Sequence, residues 1–220
     1  MTGAGGRGVF VVFEGGDGVG KSTQVELLVR RLEGAGHEVV RTLEPGGTRL
    51  GSVLRGLLLH GDGGEVGPRT EALLYAADKA EHLHQVVLPA LERGAVVVCD
   101  RYVDSMVAYQ GAGRVLDGDE VERVARWATD DLRPDLTVLL DLDPEAGLRT
   151  LTDPDRLESA GLDFHRRART AFLALAGRDP ERYLVLPARR ARDELAEAVG
   201  VRVEELLSEG LSEGPAKVSS

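Results

Sequence analysis

The 220-residue chain sets 27 lysines and arginines against 37 aspartates and glutamates, a formal charge of −10, and so excludes the domain-wide basic face that a long nucleic acid needs. Its 42% hydrophobic content supplies a core, and its single cysteine, Cys99, excludes an internal disulfide framework or a thiolate-rich metal site. No apolar run reaches the roughly 18–20 residues that span a bilayer, and residues 1–8 lack the apolar centre of a signal peptide; the expectation is one domain over 1–208 in the reducing cytoplasm, without a membrane partner.

Residues 9–14 read VFVVFE, an apolar run suited to a fully buried strand. A glycine-rich turn follows. Residues 22–33 then place Val25, Leu28, Val29 and Leu32 at helical spacing and are closed by glycines at 34 and 36. Strand character returns over 37–42, so the first unit is strand–helix–strand with a right-handed crossover. Helices are predicted over 50–59 and 69–92, ahead of a strand at 95–99, and this double excursion leaves room for a substrate lobe. Further strands are expected at 136–141 and 183–186, with helices at 119–127, 163–176 and 193–207. Such alternation predicts an α/β fold, a doubly wound five-stranded parallel sheet with helices on both faces. The charged stretch 144–158 reads as a mobile lid loop, and 209–220 as a flexible tail.

Gly15, Gly16, Asp17, Gly18, Val19, Gly20, Lys21 and Ser22 satisfy the G-x4-G-K-[ST] phosphate-loop pattern between a predicted strand and a predicted helix. The backbone N–H groups of such a loop point at phosphate oxygens, and the helix N-terminus adds partial positive charge. Lys21 is expected at the β/γ-phosphates, Ser22 at Mg2+ and Thr23 beside them, with ATP or GTP as the nucleotide. Asp17 is an unusual acid here; it either meets Mg2+ or a positioned acceptor group, or it caps the helix.

Asp100 and Arg101 follow the third strand, where open α/β sheets bind ligands. Arg101 can fork onto an acceptor monophosphate while Asp100 holds the water shell of Mg2+; a surface ion pair is the alternative. Tyr75 and Lys79 stand four apart on one helical face, which brings a ring and a cation to the same side. Periodicity alone equally allows a core aromatic and a solvated charge.

Five segments in series carry a resemblance: the phosphate loop, EPGGT from Glu44, EALLYAADKAEH from Glu71, DRYVDSMVAYQG from Asp100 and DRLESAGLDFH from Asp155. Together they resemble the thymidylate kinase family of P-loop nucleoside monophosphate kinases, over about residues 9–186. The resemblance implies Mg2+- and ATP-dependent phosphorylation of dTMP to dTDP by a homodimer. It places Asp17 at the acceptor sugar and phosphate, Glu44 among the substrate-binding residues and Arg55 at the acceptor phosphate. Tyr75 would stack on thymine and Lys79 would reach its carbonyl edge. Lys79 departs from the family's arginine and lacks its planar fork. By the same resemblance Ser105 is among the substrate-binding residues, Tyr109 lies against the sugar and crowds a ribose 2′-OH, and Gln110 lies near the base. The family's arginine before Glu-Pro-Gly-Gly-Thr is Leu43 here, with Arg41 and Arg49 as possible replacements for its charge.

The phosphate loop lacks an arginine, so a family-type catalytic arginine is expected in the short lid: Arg156, within Asp-Arg-Leu-Glu, ahead of Arg149. The acceptor phosphate is itself the nucleophile, so no base is required, and His37, His60, His82, His84 and His165 receive no role. Two other readings stay open: an ATP-binding protein that has lost transfer, and a kinase with a shifted acceptor.

Overall fold

The computed structural model describes residues 7–60, 64 and 66–212, the last three by backbone alone. Strands β1 (Phe10–Gly15), β2 (Val39–Leu43), β3 (Val96–Asp100), β4 (Leu136–Asp141) and β5 (Tyr183–Pro187) form one sheet in the order β2-β3-β1-β4-β5. Every pairing is parallel. The three central strands read as almost continuous apolar runs because both faces are covered, while β2 and β5 at the edges are partly exposed.

Alternation along β1 divides the core in two. Val11 and Phe13 face α1 (Lys21–Gly34) and α9 (Arg192–Ser212) through Val25, Leu28, Leu195 and Val199. Phe10 and Val12 face the larger cluster, to which α2 (Arg49–Leu59), α3 (Pro68–His82), α4 (Leu88–Glu92), α5 (Val103–Met106), α6 (Gly118–Ala128) and α8 (Leu162–Arg178) contribute. Among the described residues no helix is long and apolar enough to cross a membrane.

Four elements differ from their sequence-based expectation. The helix expected over 69–92 is α3 and α4 joined by a π-turn at Leu83–Val87, where the Leu88 N–H reaches back to the Leu83 carbonyl. Pro89 explains the widening, since it has no N–H to offer the carbonyl four residues earlier. After β3 the chain makes one turn of α-helix and then a π-helical segment, Val107–Gly113, which carries Tyr109 and Gln110. The first residues of the expected lid loop form α7 (Pro144–Leu148), started by Pro144 and by the Asp143 carboxylate accepting the Glu145 N–H at 3.1 Å. Helix α9 continues to Ser212, five residues past its predicted end; the rest of the expected tail, 213–220, lies outside the described residues, as do residues 1–6.

Candidate active site

The phosphate loop leaves β1 at Gly15 and enters α1 at Lys21. Gly18 has a φ of 71°, and a Cβ there would stand 2.3 Å from the Gly147 carbonyl oxygen of α7, so the loop and the base of the lid meet backbone to backbone. No side chain caps α1, whose first residue is preceded by Gly20. Its leading N–H groups are left for an anion, and Asp17 is not the helix cap that the sequence allowed. The Lys21 ammonium folds over the loop, 3.1 Å from the Gly15 and 2.6 Å from the Gly16 carbonyl oxygens. Burial, then the neighbouring Arg101 charge, lowers its pKa to about 8.

The Ser22 hydroxyl donates to Asp100 Oδ2 at 3.1 Å. A hydroxyl and a carboxylate side by side are hard oxygen donors of the kind Mg2+ takes. Among the described residues no group of three or more His, Cys, Asp or Glu could hold a metal ion.

Register brings Asp100 level with Phe13, so the ends of β1 and β3 emerge together. Arg101 has a φ of 70°, an uncommon conformation for a side chain of its size, fixed by its N–H donating to the Phe13 carbonyl at 2.9 Å. Glu14 secures the next turn: its carboxylate accepts the N–H groups of Tyr102 (2.8 Å) and Ser105 (3.1 Å) and the Ser105 hydroxyl (2.6 Å). Burial, with the nearby Asp104 charge, raises the Glu14 pKa to about 7. The Arg101 guanidinium then pairs with Asp17, donates to the Gly15 carbonyl and Ser105 hydroxyl at 3.1 Å each, and covers the Tyr109 ring at 5.2 Å. Burial would raise the Asp17 pKa, but Arg101 and Lys21 outweigh it and hold the carboxylate below its usual range. The Tyr109 hydroxyl donates to Asp17 at 3.0 Å while its ring stacks on Phe164, with centroids 5.7 Å apart.

These groups open on one cavity of about 550 Å3, bounded by loop residues 17–23, Arg55, Tyr75, Arg101, Tyr109 and Gln110. Arg55 donates to the Pro45 carbonyl at 2.9 Å, which ties α2 to the turn after β2. Arg41 and Arg49, the replacements considered for the missing arginine, are exposed and do not line the cavity. Tyr75 is buried in the core cluster and also lines the cavity.

Glu44 and Lys79, expected among the substrate-binding residues, both line the cavity and are also bound to one another. The Lys79 ammonium is buried, ion-paired with Glu44 and donating to the Tyr102 carbonyl at 2.8 Å. His82 bridges the same carboxylate (2.7 Å) to the Thr42 hydroxyl (2.6 Å). Burial would raise the Glu44 pKa, but Lys79 and His82 outweigh it and lower it. Of this group Glu44 and Lys79 reach the cavity, where two of the three Lys79 donor positions already have protein partners.

The lid arginines depart from expectation. Arg149 is exposed and paired with Glu145 at 2.6 Å; Arg156 turns inward to Glu71; neither lines the cavity.

A family description for thymidylate kinase matches residues 13–199. This chain belongs to the thymidylate kinase family. It is 57% identical over 210 residues to the thymidylate kinase of Clavibacter michiganensis subsp. michiganensis, covering 93% of this chain and 99% of that protein. Against the thymidylate kinase of Cutibacterium acnes the identity is 56%, covering 91% and 98%. Against that of Bifidobacterium longum strain NCC 2705 it is 51%, covering 91% and 99%.

Several groups of this thymidylate kinase family member escaped the sequence reading. Glu14 was signalled by an acid closing a buried strand. Glu71 and His82 extend the Tyr75–Lys79 face at helical spacing, which would have exposed all four as one buried stripe. His165 is almost fully buried, with Nδ1 3.8 Å from Asp17 and Nε2 3.1 Å from the Glu158 carbonyl. It closes the DRLESAGLDFH segment, but its polar partners come from the phosphate loop and the lid, which the sequence does not place beside it.

Proposed function

We propose that this site performs its family's reaction, transfer of the terminal phosphoryl group of ATP to dTMP, giving dTDP and ADP. The observation that carries the reading is the meeting of Lys21, at the start of α1, and Arg101, just past the end of β3, on one cavity that Tyr75 and Gln110 also line. In the proposed division of labour, Lys21 and the loop N–H groups hold the β- and γ-phosphates. Ser22 and Asp100 would hold Mg2+, which when bound offsets phosphate charge. Arg101, kept in place by Asp17 and Glu14, orients the acceptor phosphate with Arg55. An ionised oxygen of that phosphate attacks the γ-phosphorus in line as the bond to the ADP oxygen breaks. Tyr75 stacks on the base, Gln110 reads its edge, and Tyr109 closes the sugar pocket beside Ser105.

For the lid we propose Arg149 rather than Arg156 as the arginine that reaches the transferring group. Releasing Arg149 from an exposed i,i+4 pair costs about 0.3–0.5 kcal/mol. Releasing Arg156 gives up a charge-assisted hydrogen bond to a carboxylate 1% exposed, about 1.5–3 kcal/mol, even with Arg114 still compensating Glu71. We also propose a homodimer in the cytoplasm, with the exposed Leu50, Val53 and Leu73 of α2 and α3 as apolar surface for a second copy to cover. Nucleoside diphosphate formation from Mg2+, ATP and dTMP, dUMP, dCMP, AMP or GMP tests the main reading. Selective turnover of dTMP, lost in Lys21→Ala and Arg101→Ala, is the expected result; ATP binding with no turnover of any acceptor would end it.

A further inference from the structure

The cavity wall opposite the phosphate loop includes Gln110, and the amide of that residue is held from behind. Glu71 on α3, 1% exposed, accepts from Gln110 Nε2 at 2.9 Å. The same carboxylate takes a two-pronged contact from Arg114, at 3.1 Å to each oxygen, and an ion pair from Arg156. Its position is therefore set by α3, by the π-helical segment and by the lid together. A carboxylate oxygen paired to arginine accepts, whereas a glutamine amide donates at one end and accepts at the other. The NH2 end of Gln110 must face Glu71, which leaves Oε1 for the cavity that Gln110 lines.

We infer that Glu71 is a positioning residue for the acceptor base: it fixes the polarity of the Gln110 amide so that the cavity presents a hydrogen-bond acceptor. Such a wall takes a pyrimidine with N–H at ring position 3, thymine or uracil, and opposes cytosine, whose N3 is itself an acceptor. The inference rests on the proposed dTMP reaction and deepens it. It also gives Arg156 a role distinct from the transferring phosphate. The Arg156 N–H donates to the Leu59 carbonyl at 3.3 Å, and its side chain reaches Glu71, so one carboxylate ties the lid to the base pocket.

The test compares wild type, Glu71→Gln and Arg114→Gln in steady-state assays with dTMP and dCMP as acceptors. Glu71→Gln keeps the side-chain size but lets two amides pair in either orientation. Its kcat/KM for dTMP should fall about tenfold, the loss of one oriented hydrogen bond, mainly through KM. The dTMP-to-dCMP selectivity should fall by at least the same factor. Arg114→Gln keeps the carboxylate, still held by Arg156, and should lower the selectivity by less than Glu71→Gln does. Equal losses on both acceptors in Glu71→Gln would overturn the inference and reduce Glu71 to a packing contact. Failure of wild type to phosphorylate dTMP would strike the underlying reaction instead. Should Glu71→Gln not fold, 15N-labelled wild type decides. The Gln110 side-chain NH2 resonances should keep their positions as dTMP is added, with the thymine N3–H protected from exchange; NH2 resonances that move while N3–H exchanges freely would overturn the proposal.

Discussion

Lys79→Met removes the ammonium from the floor of the cavity while keeping much of the side chain's length. Lys79 and Glu44 have side chains 2% and 1% exposed, so the variant leaves a buried carboxylate whose remaining side-chain partner is His82. Breaking one side of a buried pair costs roughly 3–5 kcal/mol, most of it the penalty of a charge left without compensation. For a chain of this size each kcal/mol moves Tm by about 2–4 °C, so a fall of roughly 6–20 °C is expected in calorimetry or thermal circular dichroism. Glu44→Gln/Lys79→Met takes away both charges and should recover much of that loss, giving a coupling energy of about 2–3 kcal/mol in the double-mutant cycle. A Lys79→Met protein that melts within about 2 °C of wild type and merely binds dTMP less tightly would refute the reasoning, because Lys79 would then act on the base rather than beneath it.

Three further outcomes follow from the charges at the site. The Lys21 pKa of about 8 in the free protein should rise when phosphates replace the loop carbonyls as its partners, so ATP binding at pH 8.5 should take up protons and weaken as pH rises; calorimetry in buffers of different ionisation enthalpy reads this, and zero uptake counts against it. Glu14, with a pKa raised to about 7, binds a proton more tightly folded than unfolded, so its contribution to stability is full below about pH 4.5 and is lost as pH rises through about 7. Glu14→Gln should flatten the stability profile over that interval, and an unchanged slope in denaturant titrations would contradict the assignment. Arg149→Ala should lower kcat by about 10–100-fold with Tm unchanged, whereas Arg156→Ala should lower Tm by several degrees; the reverse pattern would return the catalytic assignment to Arg156.

The phosphate loop was legible because its chemistry is local: glycine freedom, a strand before it and a helix after it place Lys21 and Ser22 with no help from distant residues. The alternating elements likewise implied the doubly wound sheet, and Asp100 and Arg101 at a strand end implied their place at the ligand-binding edge. Hydrophobic periodicity also foretold most helices, but it could not show the π-turns, which depend on how Pro89 and the chain after β3 resolve their hydrogen bonds. Nor could it choose partners for charges. Lys79 in sequence is a cation four residues from an aromatic; only the packing of α3 beside the turn after β2 buries it against Glu44 and His82. Arg156 kept the family motif and drew the catalytic assignment, yet in the fold the nearest deep carboxylate is Glu71, 85 residues away in the chain. Local sequence determined which groups can bind phosphate, because that chemistry is built from consecutive backbone. Tertiary structure alone decided which charges face the substrate and which face each other, because a buried charge is held by whatever partner the fold brings within reach.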